Sequence, residues 1–159
     1  MKKIVILSHR VPFPPNKGEK IRTFHQLKHL SEHGHQIHLF APSEDKEEND
    51  YFEQLKNGYC TSVETRYLAT KPLRLLTGLI KNKPLSVANF YSAALQQQFD
   101  EFIQSQNVDA ILCTASSMAE YVFNSLTLSS LSKKPILLMD FMDVDSDKWA
   151  QYARNSSYP

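Results

Sequence analysis

Five short runs rich in apolar and β-branched residues, each separated from the next by a segment of helical periodicity, constrain this chain more than any other feature. Ile4 to Leu7 is unbroken by polar residues, as a strand must be when helices cover both faces of its sheet. Ile21, Phe24, Leu27 and Leu30 then recur along one side of a helix that Gly34 ends as a C′ residue. Gln36 to Ala41 reads as a second strand, stopped by Pro42. Ser43 is placed to cap a helix running through Leu55, with Glu44 and Asp45 in its first turn. Thr61 to Leu68 is a third strand, partly exposed because Glu64 and Arg66 interrupt it. Lys71 to Lys83 is basic, leucine-rich and helical, bounded by Pro72 and Pro84 with Gly78 as a weak point. Ser92 caps an amphipathic helix to Gln106 that carries Leu95, Phe99, Phe102 and Ile103, and Val108 to Cys113 is a fourth strand. Ser117-x-x-Glu120 is a capping-box pattern that opens a helix to about Leu126. Pro135 to Met139 is the fifth strand and Ser146 to Arg154 a last helix. Parallel strands need crossover connections, so this alternation predicts an α/β fold, a Rossmann-like doubly wound parallel sheet in one domain over residues 1–159.

A chain of 159 residues is the size of one domain and buries a real core. Its 18 Lys plus Arg against 17 Asp plus Glu leave no overall field for nucleic acid, so any basic function is local. Cys60 and Cys113 lie far apart, each in or beside an apolar run, as buried thiols in a reducing cytoplasm do and zinc or redox pairs do not. The apolar run after Lys3 is too short for a signal peptide, and nothing approaches the roughly 18 apolar residues of a membrane-crossing helix. A cytoplasmic location is expected, with attachment to a membrane surface left open. The polar coil Asn155 to Pro159 brings no closing element, and we expect the chain to belong to a longer one.

Ligands of open α/β sheets bind at the carboxyl ends of the strands, so the loops after Leu7, Ala41, Cys113 and Met139 are the places to search. The first, Ser8 to Arg22, leads into a helix N-terminus, whose free N–H groups and positive dipole end favour an anion. Lys17, Lys20 and Arg22 add charge, His9 offers a contact or proton transfer, and Gly18 would permit close backbone approach or a positive φ. The glycine fingerprint of a dinucleotide site is missing, so NAD and FAD are disfavoured and no cofactor is expected.

The run Arg-Val-Pro-Phe-Pro-Pro-Asn-Lys-Gly-Glu-Lys-Ile-Arg resembles the opening signature of GT-B glycosyltransferases of the family 4 type. It is especially similar to sugar transferases associated with the PEP-CTERM/exosortase system of exopolysaccharide-producing bacteria. Met139-Asp-Phe-Met-Asp-Val-Asp-Ser-Asp-Lys-Trp149 resembles a second motif of that subgroup, and the likeness covers the whole chain. The resemblance implies two facing Rossmann-like domains, of which this chain supplies the N-terminal, acceptor-side one. The domain that grips the nucleotide of the donor sugar is absent, so this chain alone should not turn over. The resemblance carries Asn16, Lys17 and Gly18 over as contacts to donor phosphate or acceptor. It implies a nucleotide sugar and a glycan or lipid-linked acceptor as partners, and no metal.

Asp143-Val-Asp145-Ser-Asp147 admits a rival reading, since paired carboxylates hold the divalent metal of other glycosyltransferases. As the start of a calcium loop it fails at Lys148, where Gly is needed, and it also reads as helix capping beside cleft-facing carboxylates. Ser116 and Ser117 either hydrogen-bond a sugar hydroxyl or cap the next helix. His25, His29, His33, His35 and His38 cluster with Glu32 as the only acid among them, and no metal site is expected there. Between Lys71 and Lys83 an aliphatic stripe of Leu73, Leu76 and Ile80, widened by Leu75 and Leu79, is flanked by cations, which suits either the core or an anionic membrane surface. The alternative to an enzyme is a stand-alone flavodoxin-like module that binds a phosphorylated small molecule without chemistry.

Overall fold

The computed structural model describes residues 1–44, 49–141 and 145–155, the last helix by its backbone alone up to residue 149. Strands β1 (Lys3–Leu7), β2 (Gln36–Ser43), β3 (Ser62–Tyr67), β4 (Ala110–Cys113) and β5 (Ile136–Met139) form one parallel sheet in the order β3-β2-β1-β4-β5. Helices α1 (Gly18–Glu32), α2 (Asn49–Gly58), α3 (Lys71–Ile80), α4 (Leu85–Phe90), α5 (Ala93–Ser105), α6 (Ala119–Phe123), α7 (Leu126–Ser130) and α8 (Asp145–Asn155) connect or follow them. This is the expected Rossmann-like α/β fold, with helices on both faces.

The alternation of side chains in β1 explains why its apolar run is continuous. Ile4 and Ile6 join Phe24, Leu27, Leu39 and Leu55 in the core under α1 and α2. Val5 and Leu7 join Leu95, Phe99, Ile111 and Tyr121 in the core under α5 and α6. Each cysteine goes to one core, and burial pushes both thiols up to about 12.

Local signals hold where the chain's chemistry is local. Gly34 follows α1 with φ +76°, and the Ser92 hydroxyl accepts from Leu95 N–H at 3.4 Å at the start of α5. Three expectations fail and a fourth element is shorter than expected. Pro42 does not stop β2, which continues beside β3 to Ser43; its pairing with β1 ends at Phe40, so the missing N–H falls where only one neighbour remains. Ser43 therefore belongs to a strand and is no cap, and α2 starts at Asn49. The segment 71–83 is a helix that ends at Ile80, followed by the short α4. Ser117 is buried in a 3₁₀ turn (Ser116–Met118) and caps nothing, while Glu120 turns to Lys83 and Asn124; α6 is only five residues long, and Ser125 caps α7 through Leu128 N–H at 3.0 Å.

Gly78 is where α3 and α4 touch, since a Cβ there would meet the Ala88 Cβ at 2.3 Å. In an exposed helix Gly→Ala gains about 1 kcal/mol. Here we expect Gly78→Ala to cost about 1–3 kcal/mol by overpacking, measured as a lowered urea midpoint.

Candidate functional site

Strand order reverses beside β1, whose neighbours are β2 and β4, so the carboxyl edge of β1 is the expected ligand position. The loop leaving it is pinned rather than loose. Ser8 N–H bonds the Phe40 carbonyl at 2.9 Å and its hydroxyl donates to the Arg10 carbonyl at 2.6 Å. Val11 is fully buried, and Phe13 packs against Phe24 of α1 and Tyr51 of α2. Held at those points, the loop presents Asn16, Lys17 and Gly18 to solvent immediately before α1.

A cavity of about 300 Å³ opens there, lined by His9, Arg10, Lys17, Lys20 and Glu44 over Val11 and Pro42. Arg10, Lys17 and Lys20 give it a cationic wall, while Glu44 accepts from Arg74 of α3 at 2.6 Å. The first N–H groups of α1 have no carbonyl of their own helix to bond and add a partial positive charge. Lys17 stands at the N-cap with extended backbone and makes no side-chain cap bond. A second concavity, of about 350 Å³ around Gln106, Asp109 and Lys133, lies at the amino ends of the strands, away from where such sheets bind ligands.

Aromatic packing fixes one rim. The Tyr121 hydroxyl donates to the Phe90 carbonyl at 3.0 Å and accepts from Ser92 N–H at 2.8 Å, which locks the end of α4. The Phe90 ring then receives His9 edge-on at 5.2 Å and lies 5.9 Å from the Arg10 guanidinium. Burial first, then the Arg10 charge, lower the His9 pKa below its ordinary 6.5, partly opposed by Glu19, so the imidazole is neutral at neutral pH. His38 is lowered likewise, by burial and then Lys3. Because the folded values lie below the unfolded one, the unfolded chain binds protons first as pH falls. Stability present above pH 6.5 is then lost below it. We expect the urea midpoint to fall on acidification from about pH 7.5 to about pH 5.5, and this slope to flatten in His9→Gln/His38→Gln.

The other expected site residues fall differently. Arg22 lies outside the cavity: its guanidinium donates to Asp140 at the end of β5 at 2.5 Å, and Gln26 donates to the other oxygen of that carboxylate at 2.7 Å. Gly18 does not adopt a positive φ, contrary to that expectation, and a Cβ there would meet no other atom among the described residues. Ser116 is exposed and Ser117 buried in the turn after β4, on the same edge of the sheet but not in the cavity wall. Asp143 lies outside the described residues, and Asp145 is described only as the backbone start of α8. Among the described residues no group of three or more His, Cys, Asp and Glu side chains is placed to hold a metal.

Sequence reasoning missed Arg10 and Glu44 as parts of the wall and Phe90 as the ring packed behind His9 and Arg10. Arg10 and Glu44 were readable as the charged residues nearest the ends of β1 and β2, whereas Phe90 reaches the site only through tertiary packing. No protein-family model matches the chain, and no curated protein does.

Proposed function

We propose that this chain is the acceptor-side, N-terminal half of a GT-B glycosyltransferase. In the cytoplasm, the complete enzyme would move a sugar from a nucleotide-sugar donor to a glycan or lipid-linked acceptor of cell-surface polysaccharide synthesis. The observation that supports this reading is the cationic cavity at the carboxyl ends of β1 and β2, built by the segment that carries the glycosyltransferase-like signature. Arg10, Lys17 and Lys20 suit an anionic group, phosphate being the simplest, and the neutral His9 can accept from or donate to a hydroxyl. In this proposal the half contributes positioning and charge stabilisation, and the facing domain excludes water.

The test is transfer from a panel of nucleotide sugars to lipid-linked acceptors by protein in which this half is joined to its donor-binding domain. Turnover that falls in Lys17→Ala/Lys20→Ala supports the reading. No turnover with any donor, alongside intact phosphate binding, overturns it in favour of the non-catalytic binding module.

A further inference from the structure

Helix α3 is built inside out. Its buried positions are Arg74 and Gly78, whereas Leu73, Leu76, Leu79 and Ile80 are 52%, 55%, 64% and 76% exposed. At about 100° per residue, Leu73, Leu76 and Ile80 share one side of the helix and Leu79 adjoins them, so the outward face is a continuous aliphatic stripe. A stripe of this kind in water is unfavourable until something apolar covers it.

The charge pattern indicates what covers it. From Thr65 to Phe99, 35 residues contain no Asp or Glu but five cations: Arg66, Lys71, Arg74, Lys81 and Lys83. The chain is +1 overall, so without these five the remainder carries −4. Arg74 is neutralised by Glu44, and Lys83 donates to Glu120 at 2.6 Å. Lys71 and Lys81 stand exposed at the two ends of the stripe, with stems long enough to lie along apolar surface while their ammonium groups reach phosphate.

We propose that α3 docks this chain on an anionic lipid surface, its four aliphatic side chains at the acyl boundary and its terminal lysines among the headgroups. With 10 residues the helix is about 15 Å long, half the hydrocarbon thickness, so the contact lies in the interface. Arg74, on the opposite side of α3, holds Glu44 in the wall of the cationic cavity. Docking therefore holds the cavity one helix diameter, roughly 10 Å, behind the docked face. Lipid binding itself does not depend on the glycosyltransferase reading.

Sedimentation with phosphatidylcholine vesicles, with and without about 30% phosphatidylglycerol, tests it. Binding should need the anionic lipid and weaken with salt. Leu76→Glu/Ile80→Glu, both on the exposed face, should reduce partitioning about tenfold or more, and Lys71→Gln/Lys81→Gln about several-fold. Circular dichroism controls for folding. In a second readout, Leu79→Cys carrying an environment-sensitive fluorophore should shift to the blue only with anionic vesicles, the two native thiols being buried. Binding indifferent to phosphatidylglycerol, or unchanged in Leu76→Glu/Ile80→Glu, overturns the proposal. So does lipid-free dimerisation that the same substitutions abolish without any vesicle binding, since a second copy would then cover the stripe. Phosphate binding in the cavity is untouched by any of these outcomes, so failure here is distinct from failure of the transferase reading.

Discussion

Glu44→Ala is expected to destabilise the fold by about 3 kcal/mol, more than removal of its partner Arg74. The two ends of this ion pair are unequal: the Arg74 side chain is 6% exposed and that of Glu44 is 49%. Among the described residues, loss of Glu44 leaves a buried guanidinium with one remaining side-chain acceptor, Asn89 at 3.1 Å, and with a buried Nε that has no hydrogen-bond partner. Arg74→Met removes the buried charge itself and leaves a carboxylate that water can reach, at a cost of about 1 kcal/mol. Urea unfolding of the two variants measures the order, and an Arg74→Met loss larger than that of Glu44→Ala would contradict this account. Acid shows the same pair. The hydrogen bond from Arg74, above all, lowers the Glu44 pKa from 4.5, so its contribution is present above that value and lost as pH falls through the lower folded value. The difference between wild type and Glu44→Ala should shrink over that window.

The second large effect is on ligand affinity. Lys17→Ala/Lys20→Ala should weaken binding of a sugar phosphate about a hundredfold. Each charge-assisted hydrogen bond contributes about 1.5 kcal/mol, roughly a factor of ten, and both lysines line the cavity from the N-cap and first turn of α1. Arg22→Ala should change affinity less than about threefold, because its guanidinium is directed at Asp140. Titration calorimetry at fixed salt distinguishes the variants. A comparable loss in Arg22→Ala would place the anion along the α1 face toward β5 instead.

The contrast between Lys20 and Arg22 shows where sequence reading stops. Both are cations in one loop and helix start, and nothing local separates them. The separation comes from Asp140, 118 positions away, delivered by the last strand of the sheet. The strands were readable because β-branched apolar runs and crossover topology are properties of consecutive residues, and Gly34 and Ser92 because caps are made within one turn. Helix α3 was left open between core and surface for the opposite reason. Its periodicity fixed a helix but not which side faces the core, and Arg74 turned inward, where Glu44 and Asn89 both accept from its guanidinium. Short α4 has too few residues to show a period at all. The β1 loop was legible as a basic segment, while its aromatic rim, Phe90 braced by Tyr121, was assembled from residues 31 positions apart.

A lysine at the start of α1 is a poor choice for the helix and a good one for a visitor. Ser, Thr, Asp or Asn at that position would secure a free N–H and stabilise the helix by about 1 kcal/mol. The chain instead leaves the helix mouth open and sets an ammonium group beside it. An anion that settles there would supply from outside the acceptor that the sequence withholds, so occupancy of the cavity and order in the first turn of α1 would rise together. Ligand and helix cap would then be one object, and the protein would be tightest at this point only when it is engaged.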